Sequence, residues 1–245
     1  MPMLSVITAV HGGRADLLVH AGDSLAKQEL PPEWELEWIV QEDGPTPHLA
    51  DVVSRYHFAR YAPNGEQLGI AATRNLALTR VSGELLHSLD SDDLLLPDAL
   101  HVAIDAFAAH PDVHWVSAQA DDLLPNGTRL PFAPLIGPGR IEIGVVEQFI
   151  REHDMVPIAC PGLTMRTATV RALGGWAANP RWEDSMLFAA LAALTPGWVA
   201  PVTWLYRQHG AQTTRQDDWP RLQTELWAAV HQRISAIREA GLSLG

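Results

Sequence analysis

The sequence predicts an α/β fold, a mainly parallel sheet flanked by helices with an amphipathic helix at the C-terminus. Three observations carry this reading. Short apolar or β-branched runs alternate with segments of helical period, the rhythm of a parallel sheet. One of those runs, Glu84-Leu85-Leu86-His87-Ser88-Leu89-Asp90-Ser91-Asp92-Asp93, is apolar over the length of a buried strand and then ends in three carboxylates. The last stretch, residues 219–240, sets Leu222, Leu226, Val230, Ile234 and Ile237 along one side.

In chain order, residues 4–10 form the first strand and His11-Gly12-Gly13-Arg14 turns into a helix over 15–28. A second strand over 35–40 ends in Gln41-Glu42-Asp43-Gly44-Pro45, and 48–56 reads as helix. A short strand at 57–61, a loop at Pro63-Asn64-Gly65 and a helix over 70–79 lead to the acidic strand. Pro97 opens a helix to about His110, and 113–117 is the next strand. Residues 121–139, rich in proline and glycine, read mostly as loop. Helix over 141–153, strand over 162–166, helix over 185–194 opened by Glu183 and Asp184, and strand over 198–206 complete the body. The final amphipathic helix docks on this body or on a second subunit, which leaves a homodimer open.

In parallel sheets, ligands sit beyond the carboxyl ends of the strands, where Asp43 and the Asp90 group both fall. In an extended chain Asp90 and Asp92 leave on the same side and can share one cation. Hard oxygen donors suit Mg²⁺ or Mn²⁺, and a cation held by one or two carboxylates keeps positions open for substrate phosphates. The same aspartates also fit a solvated turn with one of them capping a helix.

A formal net charge of -12 argues against a nucleic-acid binder and an anionic membrane surface, both of which call for a basic face. A single cysteine, Cys160, allows no intramolecular disulfide and no cysteine-rich metal site, so a cytoplasmic location is expected. No transmembrane segment is expected either. The N-terminus lacks a basic region before its apolar run, and the apolar stretch at 187–194 is broken by Thr195-Pro196-Gly197, short of the ~20 residues that span a bilayer.

Together these elements resemble the inverting glycosyltransferases of family 2, which have the GT-A fold, a Rossmann-like, mixed and mainly parallel sheet. Ser5-Val6-Ile7 resembles the opening strand and Val40-Gln41-Glu42-Asp43-Gly44 the acidic end of the second. Leu68-Gly69-Ile70-Ala71-Ala72-Thr73-Arg74-Asn75 is similar to the segment before the acidic strand, and Leu89-Asp90-Ser91-Asp92-Asp93 to the D-x-D motif. Pro161-Gly162, Arg166 and Gly174-Gly175-Trp176 resemble the acceptor-side segment, Glu183-Asp184 the E-D pair, and Tyr206-Arg207-Gln208-His209 the closing histidine motif.

That resemblance implies one domain over 1–245: a nucleotide-sugar half at 1–96, an acceptor and catalytic half at 97–214, and a helical extension at 215–245. It implies a donor nucleotide-diphosphate sugar contacted by Thr8, Ala9, Asp43, Arg74, Asp90, Ser91 and Arg207, with Asp43 on the base and Asp90 on the ribose side. Asp92 and His209 would hold Mn²⁺ or Mg²⁺. Asp184 would deprotonate the acceptor hydroxyl, with Glu183 as the alternative base or an orienting group. Arg74, Arg166 and Arg207 are candidates to offset charge on the leaving diphosphate. Trp176 and Trp182 are the acceptor-side aromatics, with core packing the competing role in a chain of nine tryptophans.

Two departures border the base pocket. Glu42-Asp43-Gly44-Pro45 stands where many relatives have two aspartates and Gly-Ser, and Thr8-Ala9-Val10-His11 where Pro-Thr-Tyr-Asn is common. UDP remains the default nucleotide, with dTDP and GDP open. The competing functions are an inactive glycosyltransferase-like binding subunit and a sugar-phosphate nucleotidylyltransferase, for which His11-Gly12-Gly13-Arg14 is a faint phosphate loop.

Overall fold

The computed structural model describes residues 1–215 and 221–244. In the first half β1 (Met3–His11), a 3-10 turn (Gly12–Arg14), α1 (Ala15–Leu25), β2 (Glu35–Asp43), the single turn α2 (Ala50–Val53), β3 (Ala59–Pro63), α3 (Ile70–Leu78) and β4 (Leu85–Ser88) follow one another. The second half contains β5 (Leu94–Leu95), α4 (Ala99–Ala109), β6 (Trp115–Leu123), β7 (Arg129–Pro131), β8 (Gly139–Ile141), α5 (Val145–His153), β9 (Leu163–Arg166), α6 (Thr167–Ala172), α7 (Glu183–Leu194), β10 (Gly197–Arg207) and α8 (Gln223–Glu239).

Among the described residues the strands make one ten-stranded sheet in the order β3-β2-β1-β4-β9-β6-β10-β5, with β7 on β6 and β8 on β10. β3, β2, β1 and β4 are mutually parallel, whereas β9 runs antiparallel between β4 and β6. Strand alternation sorts the core onto two faces. Leu4, Val6 and Val10 of β1 pack with Leu18 and Leu25 of α1 and with Leu100 and Phe107 of α4. Ile7 joins the opposite cluster, with Leu78 of α3, Leu187 and Phe188 of α7, and Val230 and Ile234 of α8.

The expected α/β architecture is present, and its differences from the sequence reading have physical causes. Residues 121–139 carry strands, because β6 runs on to Leu123 and turns back as β7. β7 is exposed at every position and shows no apolar alternation to betray it. The helix expected over 48–56 is a single turn, and α6 follows β9 directly where no element was expected. Leu226, Val230, Ile234 and Ile237 of α8 are buried within the chain, so this apolar side docks on the body and is not free to join a second subunit. The expected helix start at 219 lies outside the described residues, and Leu222 is left-handed and exposed just before α8.

Arg166 is placed far from the acidic cluster by the direction of β9. It stands opposite Leu85, at the start of β4, while the carboxylates lie past the other end of that strand. Its guanidinium donates to the carbonyls of Val113 and Pro111 and lies over the Phe107 ring, so it cannot serve the diphosphate.

His87, mid-strand in β4, provides a pH signature. Its Nδ1 lies 2.8 Å from Thr164 Oγ1, and burial pushes the imidazole down to about 4. Between 6.5 and that value the unfolded chain takes up a proton that the folded protein excludes. This stabilisation is therefore complete above pH 6.5 and is lost as the pH falls through 4. Between pH 7.5 and pH 5 the wild type should lose about 2 kcal/mol more than His87→Gln, measured by urea unfolding at both pH values.

Candidate active site

Beyond Ser88 the chain leaves the extended conformation and turns, the Asp93 N–H donating to the Asp90 carbonyl at 3.3 Å. The turn, rather than strand alternation, gathers the carboxylates. Oxygens of Asp90, Asp92 and Asp93 lie within 4.8 Å of one another, so Asp93 joins a cluster from which an extended chain would have excluded it.

Each carboxylate has a distinct partner. Arg74 Nη2 donates to Asp90 Oδ1 at 2.7 Å, and Arg14 Nη1 and His209 Nε2 both lie 2.9 Å from Asp92 Oδ2. The Arg207 backbone N–H donates to Asp93 Oδ1 at 2.9 Å, while Asp93 Oδ2 is buried with no partner. Burial raises both Asp90 and Asp93 above the usual carboxylate range, Asp93 strongly, with the neighbouring aspartates adding to the effect. Three close carboxylates, with Asp93 Oδ2 orphaned and both Asp90 and Asp93 raised by burial, fit a hard divalent cation. Asp90, Asp92 and Asp93 together could hold a divalent metal ion.

At the other wall, α7 begins with Glu183 and Asp184 after Trp182, whose φ of 54° is left-handed. Asp184 Oδ1 accepts from the Ser185 backbone N–H at 2.7 Å. Glu183 is turned inward, where Arg74 Nη1 donates to its Oε1 at 2.6 Å. Burial raises its carboxyl, and Asp184 raises it further against the pull of Arg74. Arg74 is thus a buried bridge between the acidic turn and α7. Burial alone would disfavour its charge, and the surrounding carboxylates outweigh that.

The local sequence fixes this bridge. Asp43, at the end of β2, accepts from the backbone N–H groups of Leu68 and Gly69 at 2.7 and 3.0 Å, and Gly69 has a φ of 85° that favours glycine. That anchors the start of α3, which points Arg74 and Asn75 inward. The Asn75 side chain accepts from Trp176 N–H and donates to the Trp176 carbonyl, at 2.9 and 2.7 Å. A Cβ on Gly175, whose φ is 72°, would sit 2.2 Å from Asn75 Oδ1, so the glycine before Trp176 is required.

Ala9, Asp43, Arg74, Asp90, Ser91, Asp92, Trp182, Glu183 and Asp184 line one cleft of about 900 Å³. Besides Arg166, four expected site residues, Thr8, Trp176, Arg207 and His209, do not line it. Thr8 is 1% exposed and its hydroxyl accepts from Trp38 Nε1, because its side of β1 faces the core under α1. Trp176 is 2% exposed, with Arg74 stacked over its ring at 5.9 Å, so it supports the bridge and offers no sugar face. Arg207 turns its Nε to the Asp92 carbonyl and holds the acidic turn from behind.

His209 touches the cluster through Asp92, and Ala211 N–H donates to its Nδ1, which leaves Nε2 to carry the proton toward Asp92. Sequence reasoning missed Arg14, which also donates to the Ala211 carbonyl at 3.2 Å and so joins the closing loop to the acidic turn. A basic residue one turn beyond the first strand was its only signal. Glu42 faces away, taking the backbone N–H groups of His48 and Leu49 and the Tyr61 hydroxyl.

A mixed, mainly parallel sheet with an acidic turn past β4 and a carboxylate pair opening the helix across the cleft defines a GT-A fold. The chain belongs to glycosyl transferase family 2, whose model matches residues 5–157. Among solved structures it is similar to S. aureus TarS 1–349 in complex with UDP, with a TM-score of 0.71 and 19% identity over 96% of this chain and 65% of that one. It is also similar to the mannosyltransferase PcManGT from Pyrobaculum calidifontis in complex with GDP-Man and Mn²⁺, with a TM-score of 0.66 and 20% identity over 97% of this chain and 64% of that one. The chain therefore spans a little under two thirds of these structures. Uncharacterized protein y4gI of Sinorhizobium fredii is 29% identical over 137 residues, 52% of this chain and 14% of that protein. No helix among the described residues is long and apolar enough to cross a membrane.

Proposed function

We propose that the chain transfers one sugar from a nucleotide-diphosphate sugar, by default a UDP-sugar, to an acceptor hydroxyl with inversion. The observation that carries this is the meeting, in one cleft, of the Asp90, Asp92 and Asp93 cluster with Glu183 and Asp184 across the Arg74 bridge. UDP in the TarS structure and GDP-Man with Mn²⁺ in PcManGT support the donor class.

Asp184 is the base in this reading. Ser185 holds one of its oxygens at the first turn of α7, and its side chain is only partly buried at the cleft. Glu183 is the weaker candidate, because its carboxylate is already engaged inward by Arg74. Asp43, Asp90, Ala9 and Ser91 would line the nucleoside end and Trp182 the acceptor side. Asp92, with Asp93 and His209 adjacent, would hold Mg²⁺ or Mn²⁺, which when bound supplies positive charge against the developing charge of the leaving diphosphate. Arg14 adds a fixed cation at that end. The nucleotidylyltransferase alternative gains no support from the His11-Gly12-Gly13-Arg14 turn, whose arginine is engaged by Asp92 and Ala211.

Calorimetric titration of UDP, dTDP and GDP, each with Mn²⁺ and with a chelator, tests the reading. Metal-dependent binding of one nucleotide is expected; binding of none would reject the donor site and favour a non-catalytic subunit. Arg14→Ala removes a cation beside the diphosphate and one tie on the closing loop. It should weaken that nucleotide about tenfold, near 1.4 kcal/mol, in the same titration.

A further inference from the structure

We infer that the acceptor is a neutral amphiphile, a hydroxyl-bearing molecule with an aliphatic or aromatic body. This rests on the glycosyltransferase reading above and identifies what the acceptor end of that cleft is built to take.

The cleft is chemically asymmetric. Its donor end holds Arg14, Asp43, Arg74, Asp90 and Asp92, whereas one wall is formed by two segments, 130–138 and 155–160, that contain no charged residue in a chain of net charge -12. Phe132 and Leu135 line the cleft while 53% and 46% exposed, and Val156 and Ile158 line it from the second segment. Large side chains left open to water on one wall of a cavity that also holds Asp184 mark a surface that an apolar ligand covers. The wall is held in place, since Gln119 Nε2 donates to the Ile136 carbonyl at 3.3 Å.

Charge decides between kinds of apolar acceptor. An acceptor carrying a phosphate or diphosphate beside its hydrocarbon calls for free cations along this wall; neither segment supplies one, and Arg181, which also lines the cleft, is engaged within the protein. A neutral body next to the reacting hydroxyl matches it. The hydroxyl would point to Asp184 and the hydrocarbon would lie on Phe132 and Leu135.

The test titrates methyl and hexyl β-D-glucopyranoside into the full chain with UDP and Mn²⁺ present, the hexyl compound below its micelle concentration. Hexyl glucoside should bind at least tenfold more tightly than methyl glucoside. The double variant Phe132→Ser, Leu135→Ser should reduce this preference below threefold with its melting temperature and UDP affinity unchanged; both side chains are exposed and outside the core clusters. Equal binding of the two glucosides, binding of neither, or a preference that survives in the variant would overturn the inference. A UDP titration on the same sample separates the two levels: intact metal-dependent UDP binding without a hexyl preference rejects this inference alone, and loss of both rejects the donor site.

Discussion

Replacing Asp92 with alanine is expected to abolish metal-dependent donor binding, lowering nucleotide affinity in Mn²⁺ by about 100-fold or more, at or beyond the top of the range for losing an outer-shell partner of a metal site. Asp92 Oδ2 is where Arg14 and His209 both converge, each at 2.9 Å. Truncation removes a hard oxygen donor and leaves two basic groups facing the place where a cation would sit. It also unties the closing loop, because Arg14 and His209 are then held by Ala211 and Gln212 alone. Asp92 is partly exposed and outside both core clusters, so the melting temperature should change little. Calorimetry with Mn²⁺ and with chelator, beside a thermal melt, reads both effects. A folded variant that binds nucleotide with unaltered metal dependence would remove Asp92 from the metal site.

Asp184→Asn is expected to behave in the opposite way, leaving nucleotide binding within about twofold while transfer falls by about 10²–10⁴-fold, the usual contribution of a positioned base. Asparagine keeps the shape, and its amide oxygen can still accept from the Ser185 N–H, so the start of α7 is preserved. What disappears is the capacity to take a proton. Single-turnover transfer measured beside nucleotide titration separates the two, and full transfer by the variant would refute the assignment. Glu183→Gln makes the comparison informative. It weakens a buried, charge-assisted bond to Arg74, so its first effect should be on the melting temperature and the Asp90 end of the cleft.

The site was legible where its chemistry was local. Asp90, Asp92, Glu183 and Asp184 stand out because acids follow apolar runs or open a helix, signals contained in a few consecutive residues. Thr8, Trp176 and Arg207 were misplaced for a different reason. Their side chains were assigned by position in a motif, whereas Trp38, Arg74 and the Asp92 carbonyl respectively had already engaged them. Asp43 shows the same effect in milder form: it lines the cleft, yet its carboxylate also anchors the loop that starts α3.

The strand and helix rhythm of the first half, the acidic ends of β2 and β4, the carboxylate pair at α7 and the apolar side of α8 were all readable from the sequence. Each follows from side-chain period or from polar groups at an element's end. The tertiary structure alone decided that β9 runs against β4, carrying Arg166 away from the site, and that the acidic turn recruits Asp93. It also decided that Arg14 reaches Asp92 across 78 residues and His209 reaches it across 117. Strand direction and strand order fix such meetings, and the local periodicity of a chain encodes neither.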